Sequence, residues 1–406
     1  MHVLSLPAIY ALELTPACNN RCIGCSNVYA SRRAKYPPMS AGQWRDLLAP
    51  FISEAVQIRL TGGEPTLHPG FFQILEYVAS HTAWVTIFTN GRWLDAQQFV
   101  ERMQGQSKVT GLLVSLHGAD PTSHERFTGC PGSFEETLSN IRLAIAHGIT
   151  VALNTVITRH SWHQIEEIVA LGQSLGVQHM AFSRYIGPPL PIIEPTQSQL
   201  QAAFRQIQGL MRAGIPVTYG ISVPQCFMPN DSEGCLAGVA YLSIDPWGNV
   251  RPCAHSPTVI GSLHKKSLAE LWHSTEMDAW RALVPSECTT CAAYSVCHGG
   301  CRAIQELRPE GRDPLRGSPL TEFIPHQTIR ELPSDVRPRA MLRMRPEPFG
   351  YALLGQGRIV PVHADARPLI EACNGQATFA ELVSRFGPGG LDLLGELWDS
   401  GLLEAA

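Results

Sequence analysis

Residues 9–25 read IYALELTPACNNRCIGC. The first six are apolar but for one glutamate, the texture of a strand. Pro16 and the pair Asn19-Asn20 then break any regular element, and the three cysteines Cys18, Cys22 and Cys25 follow as C-x3-C-x2-C. On a helix these spacings would share one face; after a strand and a proline they belong to a loop. Parallel α/β folds place their ligands at such strand ends. Three thiolates from one loop can hold three corners of a [4Fe–4S] cube and leave the fourth iron open.

Outward from this stretch, β-rich runs alternate with amphipathic ones. The runs Ile9–Leu14, Val56–Leu60, Trp84–Thr89, Gly111–Leu116, Thr150–Val156 and His179–Tyr185 predict strands. Helices are predicted near 41–54, 70–80, 94–104, 133–147 and 162–175; in the fourth, Phe134, Leu138, Ile141 and Ile145 recur at helical spacing. Such alternation predicts an α/β fold with a parallel sheet and right-handed crossovers. Six units fall short of the eight of a closed barrel. The second strand runs into Thr61-Gly62-Gly63-Glu64-Pro65. Two glycines and a carboxylate there suit a backbone that approaches a ligand closely, although Gly-Gly alone marks only a turn.

With the cysteine triplet one strand earlier, this stretch resembles the radical S-adenosylmethionine (SAM) superfamily over roughly residues 8–220. The resemblance implies a partial (β/α)6 TIM barrel. It implies that Cys18, Cys22 and Cys25 hold a [4Fe–4S] cluster whose open iron is chelated by the methionyl amine and carboxylate of SAM. Gly62, Gly63, Glu64 and Pro65 would then bind SAM at its methionyl amine, and Ser115 and Asn154 would touch its carboxylate or ribose. Read from the residues alone, Ser115 and Asn154 are equally well strand-end caps. Gly24 departs from the family, which usually has an aromatic residue beside the last cysteine. Residues 114–134, VSLHGADPTSHERFTGCPGSF, look like a segment of the peptide-modifying branch, where an Asp usually stands in place of His117. Cys130 in that segment is a candidate hydrogen-atom donor, against the plainer reading of an inert loop cysteine. Histidines 68, 117 and 124 read as local hydrogen-bond partners.

A second group of cysteines begins with Cys235-x12-Gly248-x4-Cys253 and ends with Cys288-x2-Cys291-x5-Cys297-x3-Cys301. A zinc ribbon is the plain alternative. The order resembles the SPASM extension of radical SAM enzymes, which implies two auxiliary [4Fe–4S] clusters. By that likeness Cys301 joins Cys235, Cys253 and Cys226 at the first, and Cys288, Cys291 and Cys297 form the second. The family's later cysteine is missing, and Asp313 stands in the segment where it would fall, as a candidate oxygen ligand or beside an open iron. Cys373, further on, reads as a buried helix cysteine.

The last 66 residues, 341–406, suggest a hairpin of Phe349–Leu354 and Arg358–His363, then helices near 364–373, 378–386 and 390–403. This small winged-helix-like pattern resembles the PqqD-like domain that recognises precursors of ribosomally made, later modified peptides (RiPPs). The resemblance implies that a leader peptide adds as a strand to Arg358–His363, facing the helix Leu391–Leu402, with Leu394 and Leu397 in the groove. A helical cap on the barrel is the alternative. The expected organisation is therefore barrel 1–222, auxiliary-cluster domain 223–310, Pro/Arg-rich linker 311–340 and recognition domain 341–406.

Composition agrees with a globular chain of several domains: 406 residues, 44% hydrophobic and 16% charged. The net charge of −4 offers no polybasic field for nucleic acid. No apolar run reaches the roughly 18 residues of a membrane span, and the N-terminus lacks the pattern of a secretory signal. Twelve cysteines in such a chain point to a cytoplasmic metalloprotein, since free thiols are otherwise an oxidation hazard. The resemblances imply an enzyme that cleaves SAM to a 5′-deoxyadenosyl radical and modifies a precursor peptide by cross-link, epimerisation or fragment excision. They imply a flavodoxin- or ferredoxin-type electron donor as a partner. A SPASM enzyme of tetrapyrroles or other small molecules, and a non-catalytic chaperone or electron carrier, are the alternatives.

Overall fold

Strand β1 (Ile9–Glu13) is buried along its whole length and has a parallel neighbour on each side. In the computed structural model, residues 2–27, 36–82, 84–106, 109–229, 234–324 and 332–406 are described. On one side of β1 the sheet continues in sequence order. It runs through β2 (Gln57–Thr61), β3 (Val85–Thr89), β4 (Val109–Ser115), β5 (Val151–Ile157), β6 (His179–Arg184) and β7 (Val217–Tyr219). On the other lie β8 (Tyr241–Ile244), β9 (Asn249–Arg251) and β10 (Gly261–Ser262), giving ten strands in one sheet. The crossover helices are α1 (Ala41–Leu48), α2 (Phe71–His81), α3 (Ala96–Gln104), α4 (Pro121–Thr128), α5 (Ser133–Ala146), α6 (Ile165–Leu175) and α7 (Gln197–Arg212).

The six expected strands are present within a residue or two of their expected ends, and the partial barrel is the observed architecture. Two parallel strands escaped the sequence pattern. Strand β7 has only three residues, and β8 belongs to the cysteine-rich segment yet pairs Tyr241–Ile244 with Ile9–Leu12. Helix α4 also escaped, because only His124, Phe127 and Thr128 of its eight residues are buried and no apolar stripe announces it. The alternation of β2 shows how the barrel sorts its side chains. Ile58 and Leu60 are buried in the main core, whereas Gln57, Arg59 and Thr61 are on the other face and half-buried.

The C-terminal unit contains an antiparallel sheet of β12 (Arg343–Glu347), β13 (Gly350–Gly355) and β14 (Arg358–Val362). A separate pair joins β11 (Pro338–Ala340) to β15 (Leu403–Ala405). This unit is not loosely tethered. Ala352 and Leu354 pack with Leu4, Ala8, Val56 and Ala240 at the N-terminal ends of the barrel strands. Arg343 and Arg345 both reach Glu54 at 3.2 Å, and Arg345 donates to the Leu6 carbonyl at 2.6 Å. Half of the expected linker is also built in: Asp313 and Leu315 are buried, and β11 lies in the two-stranded sheet.

Leu394 and Leu397 are buried in the core of this unit, with Leu369, Phe379 and Leu382. They are therefore not groove residues; their spacing marks the inner face of the helix Pro388–Asp399. Cys373 lies in the same core, its thiol donating to the Leu369 carbonyl at 3.3 Å. Leu394→Ala or Leu397→Ala should lower stability by about 3 kcal/mol, read by denaturant unfolding; a groove role would leave the melt unchanged.

Candidate active site and cluster sites

The loop after β1 is fixed by close backbone approach. Gly63 N donates to the Thr15 carbonyl and Glu64 N to the Ala17 carbonyl, each at 2.7 Å. A Cβ on Gly63 would stand 2.1 Å from the Ala17 oxygen, and one on Gly62, which has φ +133°, would stand 2.6 Å from the Thr15 oxygen. The two glycines are required by the cysteine loop itself. The Glu64 side chain is buried and turned inward: it accepts from Asn90 N at 2.7 Å, Thr89 Oγ1 at 2.9 Å and Thr66 Oγ1 at 2.7 Å. Its carboxylate ties the ends of β2 and β3 together, which leaves the backbone of 62–64 as the part that can face a ligand. Pro65 is buried and opens a single turn, Pro65–Leu67.

The cysteine loop is splinted from two further sides. Arg21 N and Ile23 N donate to the Thr128 and Phe127 carbonyls at 2.9 Å, so the end of α4 carries the loop. Arg92 donates to the Asn19 carbonyl at 2.9 Å and to Asn20 Oδ1 at 2.7 Å, and is itself anchored on Glu136 at 2.7 Å. Asn90 Nδ2 donates to Cys18 Sγ at 3.7 Å and Asn20 N to the same sulfur at 3.4 Å. Asn90 and Arg92 were not singled out in the sequence. Their signal was the Thr-Asn-Gly-Arg-Trp stretch 89–93 at the end of β3, where a parallel fold presents its ligand-binding residues.

The three thiols Cys18, Cys22 and Cys25 share one space: burial, then Cys25 and Cys18, push the Cys22 thiol up. Gly24 leaves room for Ile193 and Phe127, whose side chains would come within 2.4 and 3.0 Å of a Cβ there. The Phe127 ring of α4 thus abuts Gly24. Ser115 and Asn154 are register partners across β4 and β5, and Asn154 accepts from Ser183 at 2.9 Å. His117 and His124 serve each other and the backbone: His117 N donates to His124 Nδ1 at 3.1 Å. His68 bonds the Met39 carbonyl at 2.8 Å. Cys130 lies on the flank of the loop, its thiol donating to the Asn19 carbonyl at 3.6 Å. It is not among the residues that line the barrel cavity; it stands beside the cysteine loop, where it helps push the Cys22 thiol up.

That cavity, about 590 Å³, runs from Gly24 and Ser26 beside the cysteine loop, past Asn154 and Ser183, to Cys235, Cys253 and Cys301. These three thiols come together there as a candidate first auxiliary site. Burial raises Cys253, and Cys235 and Cys301 raise it further. Cys226 does not join them. It lines a second site with Cys288, Cys291 and Cys297. Every thiol there receives an N–H donor: Gly317 N to Cys226 at 3.2 Å, Arg316 to Cys288 at 3.7 Å, Leu320 N to Cys291 at 3.2 Å and Gln225 N to Cys297 at 3.4 Å. Four thiols with four donors fit a cluster of bridging iron and sulfide, whose ligand sulfurs are stabilised as thiolates by such bonds.

Asp313 is equally displaced from its expected place. It forms a bidentate pair with Arg184, 2.7 Å on one side, and takes the Cys301 backbone N–H. Burial alone would raise its pKa; Arg184 holds it below the usual carboxylate range. It positions Cys301 and is no ligand of the second site. Among the described residues no three His, Cys, Asp or Glu side chains close on a single-ion site.

Residues 12–172 match the radical SAM superfamily, and residues 235–301 match the SPASM iron–sulfur cluster-binding domain. The chain is a radical SAM enzyme with a SPASM domain. Its cofactors are accordingly a radical SAM [4Fe–4S] cluster, SAM and auxiliary iron–sulfur clusters. It is 28% identical to an AdoMet-dependent heme synthase of Methanosarcina barkeri over 73% of this chain and 91% of that one. It is 26% identical to a PqqA peptide cyclase of Xanthomonas campestris pv. campestris over 81% and 91%. In fold it is similar to Streptococcus suis SuiB bound to S-adenosylmethionine, with a TM-score of 0.64, 17% identity, and 77% and 78% covered.

Two outcomes check the second site. Cys226→Ala should remove about four iron and four sulfide per chain. Asp313→Ala should keep them and lose about 3 kcal/mol or more of stability, because it strands the buried Arg184. Arg316→Gln should lower the midpoint potential of the second cluster, since a cation and hydrogen bond at a ligand sulfur favour the reduced form; an anaerobic redox titration followed by EPR reads the shift.

Proposed function

We propose that this enzyme modifies a ribosomally made precursor peptide held in the barrel cavity between its radical SAM cluster and its first auxiliary cluster. Cys18, Cys22 and Cys25 would hold the radical SAM cluster, with the backbone of Gly62, Gly63 and Glu64 and the side chains of Ser115 and Asn154 facing SAM. Cys235, Cys253 and Cys301 would hold the first auxiliary cluster, and Cys226, Cys288, Cys291 and Cys297 the second. When bound, these cofactors supply reductive cleavage of SAM and a 5′-deoxyadenosyl radical that abstracts hydrogen. The chain's own part is to orient the substrate and keep water and stray hydrogen donors away.

The observation that carries this reading is the continuity of the cavity. One space is lined at one end by the radical SAM loop and at the other by three auxiliary-site thiols. A substrate within it lies between the site that abstracts hydrogen and the site that can take an electron back or bind the substrate. The peptide cyclase likeness supports a peptide as that substrate. An external flavodoxin- or ferredoxin-type protein would supply the electron.

The C-terminal unit would act as a PqqD-like recognition element. Strand β14 pairs only with β13 among the described strands, so its other edge is available to a leader peptide. Arg358, the first residue of β14, lines the cavity, so a strand added there ends at the cavity's rim. Pro361 has no N–H to offer and blunts the middle of the edge; by the alternation of a strand, Ile359 and His363 face the same way as Pro361. His363 has φ −69°, a value proline adopts. His363→Pro should therefore weaken leader binding about fivefold, the worth of one backbone hydrogen bond, with the fold retained. Deleting residues beyond 340 is a poorer test, because it uncovers Leu4, Ala8, Val56 and Ala240.

A second reading, action on a tetrapyrrole or other small molecule, is supported by the heme synthase likeness. Incubation of the anaerobically reconstituted enzyme, with dithionite and SAM, separates the two. A mass change in a short peptide encoded beside this enzyme, lost in Cys18→Ala, is the expected result. No mass change, with a porphyrin substrate converted instead, would favour the second reading.

A further inference from the structure

Of the arginines Arg59, Arg184 and Arg251 on strands of the barrel sheet, two have carboxylate partners. Arg184 is paired with Asp313, and Arg251 with Glu13, which Ser243 also contacts. Arg59, on the lumen face of β2, is paired with no carboxylate among the described residues. Its Nε and one terminal nitrogen donate to the single amide oxygen of Gln57, at 3.1 and 2.9 Å. The rings of Tyr241 and Phe88 lie 5.4 and 5.9 Å from its guanidinium carbon and hold it in place. Burial pushes its pKa down, with only Tyr241 and Cys253 opposing. A guanidinium taken out of water without an anion is costly.

The surroundings have the same bias. Arg59, Arg184, Arg358 and His255 line the cavity, and no aspartate or glutamate among the described residues does. Arg184 is already neutralised by Asp313. Arg59 is half-buried on the barrel wall with its side chain on the cavity, and Arg358 is exposed at the rim. A guanidinium offers a planar fork of donors matched to a carboxylate.

We propose that Arg59 is a specificity residue that binds a carboxylate of the substrate, an aspartate or glutamate side chain of the peptide, at the auxiliary-cluster end of the cavity. This rests on the peptide reading above and narrows it to peptides with an acidic residue in the modified region. The carboxylate would displace the Gln57 contact and fix the distance of neighbouring carbons from the radical SAM loop. Arg358 would meet acidic residues further along the same peptide.

The test uses the full-length, anaerobically reconstituted enzyme and its neighbouring precursor peptide, in which each aspartate and glutamate is replaced singly by asparagine or glutamine. One replacement should raise KM at least tenfold, the scale of a charge-assisted hydrogen bond. Arg59→Gln should raise KM for the native peptide by a similar factor and add little when combined with that replacement, and Arg59→Lys should recover part of the loss. Unchanged KM across the whole peptide panel on the native enzyme would overturn the proposal, whether or not the Arg59 variants fold. So would an Arg59→Gln enzyme with native KM and a shifted auxiliary-cluster potential, which would make Arg59 a counter-charge to the Cys253 thiolate. Failure to convert any peptide would instead remove the peptide reading, and this inference with it.

Discussion

Everything in this enzyme hangs on how closely two backbone segments pass at the ends of β1 and β2. The N–H groups of Gly63 and Glu64 are bonded to the carbonyls of Thr15 and Ala17, and there is no space for a side-chain carbon on Gly63. That contact sets the cysteine loop at the mouth of the barrel. The buried Glu64 carboxylate extends the tie to β3 through Thr89 and Asn90, and Asn90 reaches back to Cys18. Loop position, thiol spacing and a clear lumen are consequences of one hydrogen-bonded crossing, which parallel pairing of β1 with β2 keeps in register.

The sequence revealed what local pattern dictates. Buried parallel strands read as apolar runs, so the barrel strands could be placed within a residue or two, and the cysteine triplet at a strand end pointed to its chemistry. What stayed hidden depends on contacts between distant segments. Cys226 stands two residues after Pro224 in an irregular stretch, and the family likeness put it with Cys235, Cys253 and Cys301, while the fold brings it to Cys288, Cys291 and Cys297, about 60–70 residues later. Asp313 stood where a ligand was missing, and only the fold shows Arg184 waiting for it. Leu394 and Leu397 have helical spacing on an amphipathic segment, and spacing alone does not say whether the apolar face meets a core or a partner.

The two auxiliary sites are built on opposite principles. The second is closed: four thiols, each with its own N–H donor, three from backbone and one from Arg316, which Glu287 holds at 2.6 Å. The segment 313–320 thus serves as the wall of a site, not a connector. The first has three thiols, opens on the cavity and is steadied by the buried Asp313–Arg184 pair at Cys301. A closed site suits electron passage, whereas one with an uncommitted position beside bound substrate suits direct participation. The C-terminal unit completes the arrangement by sealing the strand ends opposite the cysteine loop and placing Arg358 at the cavity rim.

The central claim is that this fold assembles three separate iron–sulfur sites around one continuous cavity, with Cys226 in the outermost of them. Diffraction from anaerobic crystals at the iron absorption edge tests it directly. The account predicts three iron clusters, one above Cys18, Cys22 and Cys25, one at Cys235, Cys253 and Cys301 facing the cavity, and one ringed by Cys226, Cys288, Cys291 and Cys297. A single zinc signal in the cysteine-rich domain, or a Cys226 sulfur bound to the Cys253 cluster, would contradict it.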